Sequence, residues 1–393
     1  MKNIDSSLSH LLCPITSEKF DPDYPHRLNP STGRPLLVKY NLEIASKTLT
    51  KNNLKFRPPT MWRYQEVLPV RNPENIISLG EGFTPLLKLK RLGKFLGINN
   101  LWLKDESLNP TGSFKARGLS SAISRAYELG IRDITMPSAG NAAGAMSAYA
   151  AKAGMNAHVF MPKDVPIANY IECDYYGANV HLVEGFINDC GKASADHAEK
   201  FNLFDISTMK EPYRVEGKKT MAYEIVEQLN WEVPDIIIYP TGGGTGIVGI
   251  WKGMDEMENL GLIDNKRPKL VSVQAEGCSP IYDAFIKKEK FSKEIPYPKT
   301  IAAGMRVPSV IGDFLVLNAI KESGGIVVKV SDESMLNSIK LLSKFEGVFS
   351  APEGGSTLSA LEKILDSNYI SRDMKIILMN TGTSLKYTES VKS

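Results

Sequence analysis

The chain has 393 residues, of which 42% are hydrophobic and 23% charged, so it is long enough to bury the cores of two or three domains. Its 47 basic and 44 acidic residues give a net charge of +3, and no segment concentrates lysine and arginine. This composition disfavours nucleic acids and anionic membranes as partners and favours a small-molecule partner.

The first sixty residues differ from the rest of the chain. They contain prolines at positions 14, 22, 25, 30, 35, 58 and 59 and show little periodicity, which predicts an irregular N-terminal arm over residues 1–60 that packs on the main body or on a neighbouring subunit. The first twenty residues lack the apolar stretch of a signal peptide, and no run of about eighteen apolar residues predicts a membrane span. We therefore expect a cytoplasmic protein.

The cysteines and histidines show no spacing typical of metal ligands. There is no CxxC pair and no HExxH motif, so we expect reduced, buried thiols, structural histidines and no bound metal. The residues concerned are Cys13, Cys173, Cys190 and Cys278, and His10, His26, His158, His181 and His197.

From about residue 100, short apolar segments alternate with amphipathic ones. Strands that are apolar on both faces are typical of parallel sheets covered by helices, so the pattern predicts an α/β fold. The predicted strands are DITMPS, AHVFMP, NVHLVEG, DIIIYP, KLVSVQ, GIVVKV and KIILMN. The predicted helices run over 114–129, ending at Gly130, over 142–153, ending at Gly154, and onward from Thr245.

Three glycine-containing turns follow predicted strands and are candidate sites: PSAGNAAG, PTGGGTG and NTGTS. In open α/β sheets, ligands bind beyond the carboxyl ends of the strands, where such turns lead into helices. The turn in YPTGGGTGIVG can hold a phosphate through successive backbone N–H groups and the helix N-terminus. The same residues Gly244, Gly246 and Gly249 also form GxGxxG, so a NAD-binding dehydrogenase is an alternative, and glycines needed for packing alone are another.

Lys115, in NPTGSFKARG, is the candidate catalytic amine. A phosphate cradle and a lysine on the two sides of one cleft are best joined by pyridoxal 5'-phosphate (PLP), since its aldehyde forms a Schiff base with a primary amine while the protein holds its phosphate. A solvated surface lysine is the alternative from these ten residues alone.

Four motifs in order, NPTGSFKARG, PSAGNAAGAMSAYAA, YPTGGGTG and NTGTSLKY, resemble the tryptophan-synthase-β-like family of PLP enzymes, and within it the threonine synthases. The resemblance covers about residues 75 to 390. It implies a two-domain α/β fold with parallel or mixed sheets, in which 61–114 and 211–393 form the large cofactor-binding domain and 115–210 the small one. It also implies a homodimer.

The resemblance implies a role for each matching position. Lys115 would form the Schiff base and then act as general base and acid. Asn141 would hydrogen-bond the phenolic oxygen of the cofactor ring, and Thr381 would meet the pyridine nitrogen. Main-chain groups would bind the anions: Gly242, Gly243, Gly244 and Thr245 the cofactor phosphate, and Ser138, Ala139 and Gly140 the substrate carboxylate.

The implied reaction is the conversion of O-phospho-L-homoserine and water to L-threonine and phosphate. Lys104 and Arg117 are candidates for binding the substrate phosphate, with a solvated or salt-bridged structural role as their alternative. Ala116 stands where many threonine synthases have aspartate, and Thr383 where many have histidine, so a serine/threonine dehydratase and a β-replacement synthase stay open. The arm resembles a short zinc ribbon but keeps only Cys13, with Thr16 in the partner position, so no zinc is expected.

Overall fold

The computed structural model describes residues 5–185, 187–365, 367 and 369–391. The strands are β1 (Leu8–Leu12), β2 (Lys19–Phe20), β3 (Leu37–Tyr40), β4 (Leu86–Lys88), β5 (Leu101–Asp105), β6 (Asp133–Pro137), β7 (Asn156–Pro162), β8 (Asn179–Val183), β9 (Phe204–Asp205), β10 (Ile236–Pro240), β11 (Lys269–Ala275), β12 (Ile326–Val330) and β13 (Ile376–Asn380).

The α-helices are α1 (Leu42–Ala45), α2 (Lys51–Leu54), α3 (Lys90–Leu96), α4 (Lys115–Glu128), α5 (Asn141–Ala153), α6 (Ile167–Tyr175), α7 (Ile187–Phe201), α8 (Arg214–Gln228), α9 (Thr245–Asn259), α10 (Pro280–Ile286), α11 (Asp313–Glu322), α12 (Asp332–Glu346) and α13 (Pro352–Leu365). Short 3₁₀ helices span Met61–Val67, Pro73–Asn75, Glu106–Leu108, Pro110–Gly112, Ala303–Met305 and Ser384–Lys386. Among the described residues, no helix combines the length and apolar character needed to cross a bilayer.

The larger sheet has the strand order β12-β11-β10-β13-β5-β4 within the described part of the chain. Its strands are parallel except β4, which pairs with β5 in the antiparallel sense. Every residue of β10 is buried, because hydrophobic clusters cover both faces of the sheet. This explains the unbroken apolar run of IIIYP.

The smaller sheet has the order β8-β7-β6-β9 and is parallel throughout its described pairs. Its strands lie between residues 133 and 205, and those of the larger sheet lie on either side of this range. This membership supports the proposed division into a small domain over 115–210 and a large domain over 61–114 and 211–393.

The N-terminal arm is more regular than predicted. Strands β1, β2 and β3 form an antiparallel sheet in the order β2-β1-β3. Leu11 and Val38 of this sheet are fully buried in the same core cluster as Ile123 of α4, so the arm packs on the main body. The prolines lie outside these strands, which explains why proline content alone predicted an irregular segment.

The other predicted elements are confirmed. Each of the seven predicted strands is present, as are the three helices, now α4, α5 and α9. Gly130 and Gly154, with φ of 81° and 64°, lie in the left-handed conformation just after α4 and α5. Strand β5 was missed, since the lysine and aspartate in LWLKD interrupt its apolar run. The four cysteines are buried free thiols, as predicted.

Candidate active site

The three predicted turns open onto one cleft of about 760 Å³. They follow the carboxyl ends of β6, β10 and β13, which is where a parallel sheet presents its loops. The cleft is lined by Lys115, by 136–142 from the small domain, by 242–246 from the glycine turn, and by Thr381 and Gly382. The structure therefore brings together Lys115, Asn141, Gly242, Gly243, Gly244, Thr245, Thr381, Ser138, Ala139 and Gly140.

The backbone before α4 holds Lys115 beside the end of β13. Thr111 and Gly112 have φ of 63° and 67°, and this left-handed turn redirects the chain into the helix. Phe114 N then donates a hydrogen bond to Thr381 O at 3.0 Å, and Ser113 pairs with Gly382 in an isolated β-bridge. Two distant motifs are thus tied by main-chain hydrogen bonds.

Lys115 is half-buried, and its surroundings disfavour its charge. Burial lowers the pKa of Lys115 to about 8, an effect that the positive charge of Arg214 increases and the carboxylate of Glu353 opposes. A lysine with such a pKa has a far larger neutral fraction near pH 8 than an exposed one, and the neutral amine is the nucleophilic form.

Lys218 of α8 lies beside this amine and was not predicted from the sequence. It is fully buried, and its Nζ lies 4.1 Å from the centroid of the Phe114 ring and 3.3 Å from Thr245 Oγ1. Burial, followed by the charges of Lys115 and Arg214, lowers the pKa of Lys218 well below its ordinary value. The local sequence EGKKT matches no motif, so it gave no sign that Lys218 lies beside the cleft.

The glycine turn is shaped as an anion cradle. Within the described part of the chain, the backbone N–H groups of Gly242, Gly243 and Gly244 find no acceptor. Gly244 has φ of 82°, and a Cβ at any of the three would overlap atoms packed around the turn. Helix α9 begins immediately after, at Thr245, so its N-terminus also faces this point. Packing and anion binding therefore both require glycine here.

A series of hydrogen bonds crosses the cleft from Asn141 of α5 to Glu353 of α13. Asn141 Nδ2 donates to Tyr387 Oη at 3.2 Å, and Tyr387 Oη donates to Glu353 Oε1 at 3.0 Å. Gly304 N donates to the same carboxylate oxygen at 2.6 Å. Burial raises the pKa of Glu353. Glu353 was not predicted from the sequence, since an acid in the first turn of a helix ordinarily interacts only with the helix dipole. Tyr387 ends the NTGTSLKY motif and could have been found there.

Some buried polar atoms in this cleft have no partner among the described residues. They are Asn141 Oδ1, Glu353 Oε2 and Tyr239 Oη, all on residues that line the cleft. Unpaired buried polar groups are costly, by about 1–3 kcal/mol each, so they indicate a ligand or ordered solvent at this place.

Lys104 and Arg117 are not brought to the cleft. Both are fully buried, and Arg117 forms ion pairs with Glu106 and Glu224 while Lys104 Nζ donates to Glu224 Oε2 at 2.7 Å. Burial alone would raise the pKa of Glu224, but the charges of Arg117 and Lys104 lower it to about 2. Their positive charges are neutralised inside the protein, which fits their alternative structural role.

Three other basic side chains lie in the cleft, where Lys104 and Arg117 had been predicted. Lys192, Lys210 and Arg306 line the cleft. Lys210 Nζ forms an ion pair with Asp205 Oδ2 at 3.0 Å, and Arg306 is exposed. These residues were not chosen from the sequence because no motif distinguishes them from other surface cations.

The sequence pattern of the family described as "Pyridoxal-phosphate dependent enzyme" matches residues 77–382, which include Lys115, the first two turns and the first three residues of the third. The chain belongs to this family. Its cofactor is PLP, as predicted, and the match does not favour the alternative of a dinucleotide-binding dehydrogenase.

Three curated relatives of this PLP enzyme are named threonine synthase. The chain is 38% identical over 357 residues to a protein named threonine synthase from Methanocaldococcus jannaschii. This alignment covers 90% of the chain and 87% of the relative. It is 34% identical to a threonine synthase from Methanosarcina acetivorans, over 89% of this chain and 85% of the relative. It is 32% identical to a threonine synthase from Mycobacterium bovis, over 84% of this chain and 89% of the relative.

Solved structures confirm the fold of the PLP enzyme. Maize serine racemase superposes with a TM-score of 0.67 at 23% identity, covering 76% of this chain and 87% of the racemase. The processed form of threonine deaminase isoform 2 from Solanum lycopersicum superposes with a TM-score of 0.67 at 20% identity, covering 78% of this chain and 82% of the deaminase. The predicted α/β fold class with parallel and mixed sheets is therefore confirmed.

The residues of the cleft fit PLP. The unpaired amides at 242–244 suit a phosphate, and Lys115 supplies a primary amine in the same cleft. Asn141 Nδ2 donates one of its two N–H groups to Tyr387, so the second N–H can donate to a ligand in the cleft, while Oδ1 can accept a hydrogen bond. Both an anionic and a carbonyl end of the cofactor thus find matching groups.

Proposed function

We propose that this PLP enzyme converts O-phospho-L-homoserine and water to L-threonine and phosphate. The observation that carries the proposal is the near full-length similarity to proteins named threonine synthase, at 32–38% identity. The geometry supports it, because one cleft combines the lysine, the glycine turn and further basic side chains for a phosphorylated substrate.

In this proposal, the bound cofactor supplies an electron sink that makes the protons next to the amino group of the substrate removable. Lys115 Nζ would hold the cofactor through its aldehyde. The N–H groups of Gly242, Gly243, Gly244 and Thr245 would hold its phosphate, with Lys218 behind them. Asn141 would orient the ring through its oxygen substituent, and Thr381 would lie at the ring nitrogen.

Lys115 also moves protons. As a primary amine in the cleft, its Nζ would take up and return protons at the carbons of the substrate. The lowered pKa of Lys115, about 8, brings it close to working pH. The hydrogen-bonded pair of Tyr387 and Glu353 faces the same cleft and holds Asn141 in place.

The substrate carries two anionic groups, and we assign each to one part of the cleft. Its carboxylate binds at Ser138, Ala139 and Gly140, where the first N–H groups of α5 are directed. Its phosphate binds at Lys210 and Arg306, with Lys192 near the opening. These three side chains replace Lys104 and Arg117 in this role.

The assay that tests the function measures phosphate and threonine formed from O-phospho-L-homoserine, in equal amounts. Serine/threonine dehydratase and β-replacement activity share this fold but are not favoured by the relatives. If O-phospho-L-homoserine is inert while serine or threonine yields an oxoacid and ammonia, the proposal is wrong and the dehydratase alternative replaces it. The homodimer and the cytoplasmic location stay predictions.

A further inference from the structure

Three of the five histidines converge in the small domain, outside the cleft. His158 lies on β7, His181 on β8 and His197 on α7, and one ring nitrogen from each lies within 4.8 Å of the others. All three side chains are half-buried. No role in the proposed reaction uses them.

The distances fit the coordination of a small divalent metal. His158 Nδ1 and His181 Nε2 are 3.2 Å apart, and the three ring centroids are separated by 5.0–5.5 Å. Metal–nitrogen bonds of about 2.0–2.1 Å at the tetrahedral angle place two ligand nitrogens about 3.4 Å apart. Small side-chain rotations would therefore direct the three nitrogens at one ion, and half-burial leaves the fourth position to water.

Aromatic rings pack against two of the three histidines. Phe160 stacks on His181 with a centroid distance of 4.4 Å, and Phe201 packs on His197 at 4.4 Å. These contacts restrict the orientation of both imidazoles.

We propose that His158, His181 and His197 bind a divalent transition-metal ion of the zinc type, with water as the fourth ligand. The ion would join two strands of the smaller sheet to α7. The first half of that helix, including Asn188 and Gly191, lines the cleft. Metal binding would therefore stabilise one wall of the active site without entering the chemistry.

The test uses the holoenzyme with any affinity tag removed, stripped of metal and of free PLP, and titrated with Co²⁺ and with Zn²⁺. We expect one ion per chain, a visible cobalt absorption typical of tetrahedral nitrogen coordination, and a higher melting temperature with Zn²⁺. Substitutions H181F and H197F keep the aromatic packing, and each should weaken binding by about a hundredfold or more, since even outer-shell partners of a metal contribute about 10–100-fold. H10F, at a half-buried histidine of the arm, is the matched control and should bind normally.

A second measurement needs no variant. In the proton NMR spectrum of the wild-type holoenzyme, Co²⁺ should shift or broaden the ring signals of three of the five histidines and leave those of His10 and His26 in place. The proposal is overturned if the wild-type chain shows no saturable binding, if H181F and H197F bind as tightly as wild type, or if all five histidines respond equally. An aromatic cluster without metal affinity would give the first of these results.

Discussion

Lys115 and Lys218 share one aromatic ring: their Nζ atoms lie 4.7 Å and 4.1 Å from the centroid of Phe114. Burial, followed by the charge of Lys115, lowers the pKa of Lys218. One of them faces the cleft, and the other lies against Thr245 behind the glycine turn. We therefore propose that Lys115 binds the cofactor covalently and that Lys218 binds its phosphate.

Substitution K218M should weaken the binding of PLP to the apoenzyme by about 10–100-fold, because a hydrogen bond to a charged group contributes about 1.5–3 kcal/mol. Absorbance titration of the apoenzyme measures this change. Pyridoxal, which lacks the phosphate, is the control ligand and should bind both proteins alike. An equal loss for both ligands would show that Lys218 acts on packing and not on the phosphate.

Substitution K115A should abolish the covalent attachment of PLP after borohydride reduction and lower turnover by about 10²–10⁴-fold or more, as for the loss of a general acid–base group. Mass spectrometry of the reduced protein locates the modified lysine. K163A, at an exposed lysine paired with Glu184 outside the cleft, is the control and should behave as wild type. Full activity of K115A would refute the assignment.

The reactivity of Lys115 in the apoenzyme should follow a pKa of about 8. Its neutral fraction rises through that pH, whereas exposed lysines react only as the pH approaches their ordinary value of about 10.4. Brief labelling with an amine reagent across pH 6 to pH 10, read peptide by peptide, gives both curves in one sample. A half-maximum for Lys115 near that of the exposed lysines would contradict the pKa shift.

Substitution R117M should lower the free energy of unfolding by about 3–5 kcal/mol, because it leaves the buried carboxylates of Glu106 and Glu224 without their main partner. Urea unfolding followed by circular dichroism measures the change. R267M removes a half-buried arginine–carboxylate pair at the protein surface and should change the free energy of unfolding by about 0–1 kcal/mol. A stable R117M enzyme with a raised KM for O-phospho-L-homoserine would restore Arg117 as a substrate-binding residue.

Substitution K210Q should raise the KM for O-phospho-L-homoserine by about 10–100-fold, through loss of one charged hydrogen bond to its phosphate. Steady-state kinetics measure it, and the affinity for L-threonine, which has no phosphate, should change little. K163Q serves as the control. If K210Q alters the binding of threonine and of the phosphorylated substrate equally, Lys210 supports the cleft and does not bind the phosphate.

Motifs in the sequence predicted the centre of the site because its groups are carried by short contiguous turns. Lys115, Asn141, the glycines at 242–244 and Thr381 each lie at a strand end or helix start, and the parallel sheet brings such ends to one edge. Lys218, Glu353 and Lys210 lie within or beside helices whose local sequence resembles any surface helix. Their roles depend on which face is buried, and that face is set by packing between distant elements.

The sequence also predicted two substrate-binding residues that the structure places elsewhere. Arg117 lies within the motif NPTGSFKARG and Lys104 a few residues before it, yet both side chains point into the interior, where the carboxylates of Glu224 and Glu106 neutralise them. The histidine cluster was equally hidden, since its members come from two strands and a helix separated by 16 to 23 residues along the chain.

From the sequence by itself followed the α/β class, the cofactor and the family, because each rests on residues that act together over a few consecutive positions. Only the tertiary structure decided which charges are paired, which polar atoms are left facing the cleft, and which histidines meet. Those properties depend on burial and on distances between segments far apart in the chain, and neighbouring residues do not encode them.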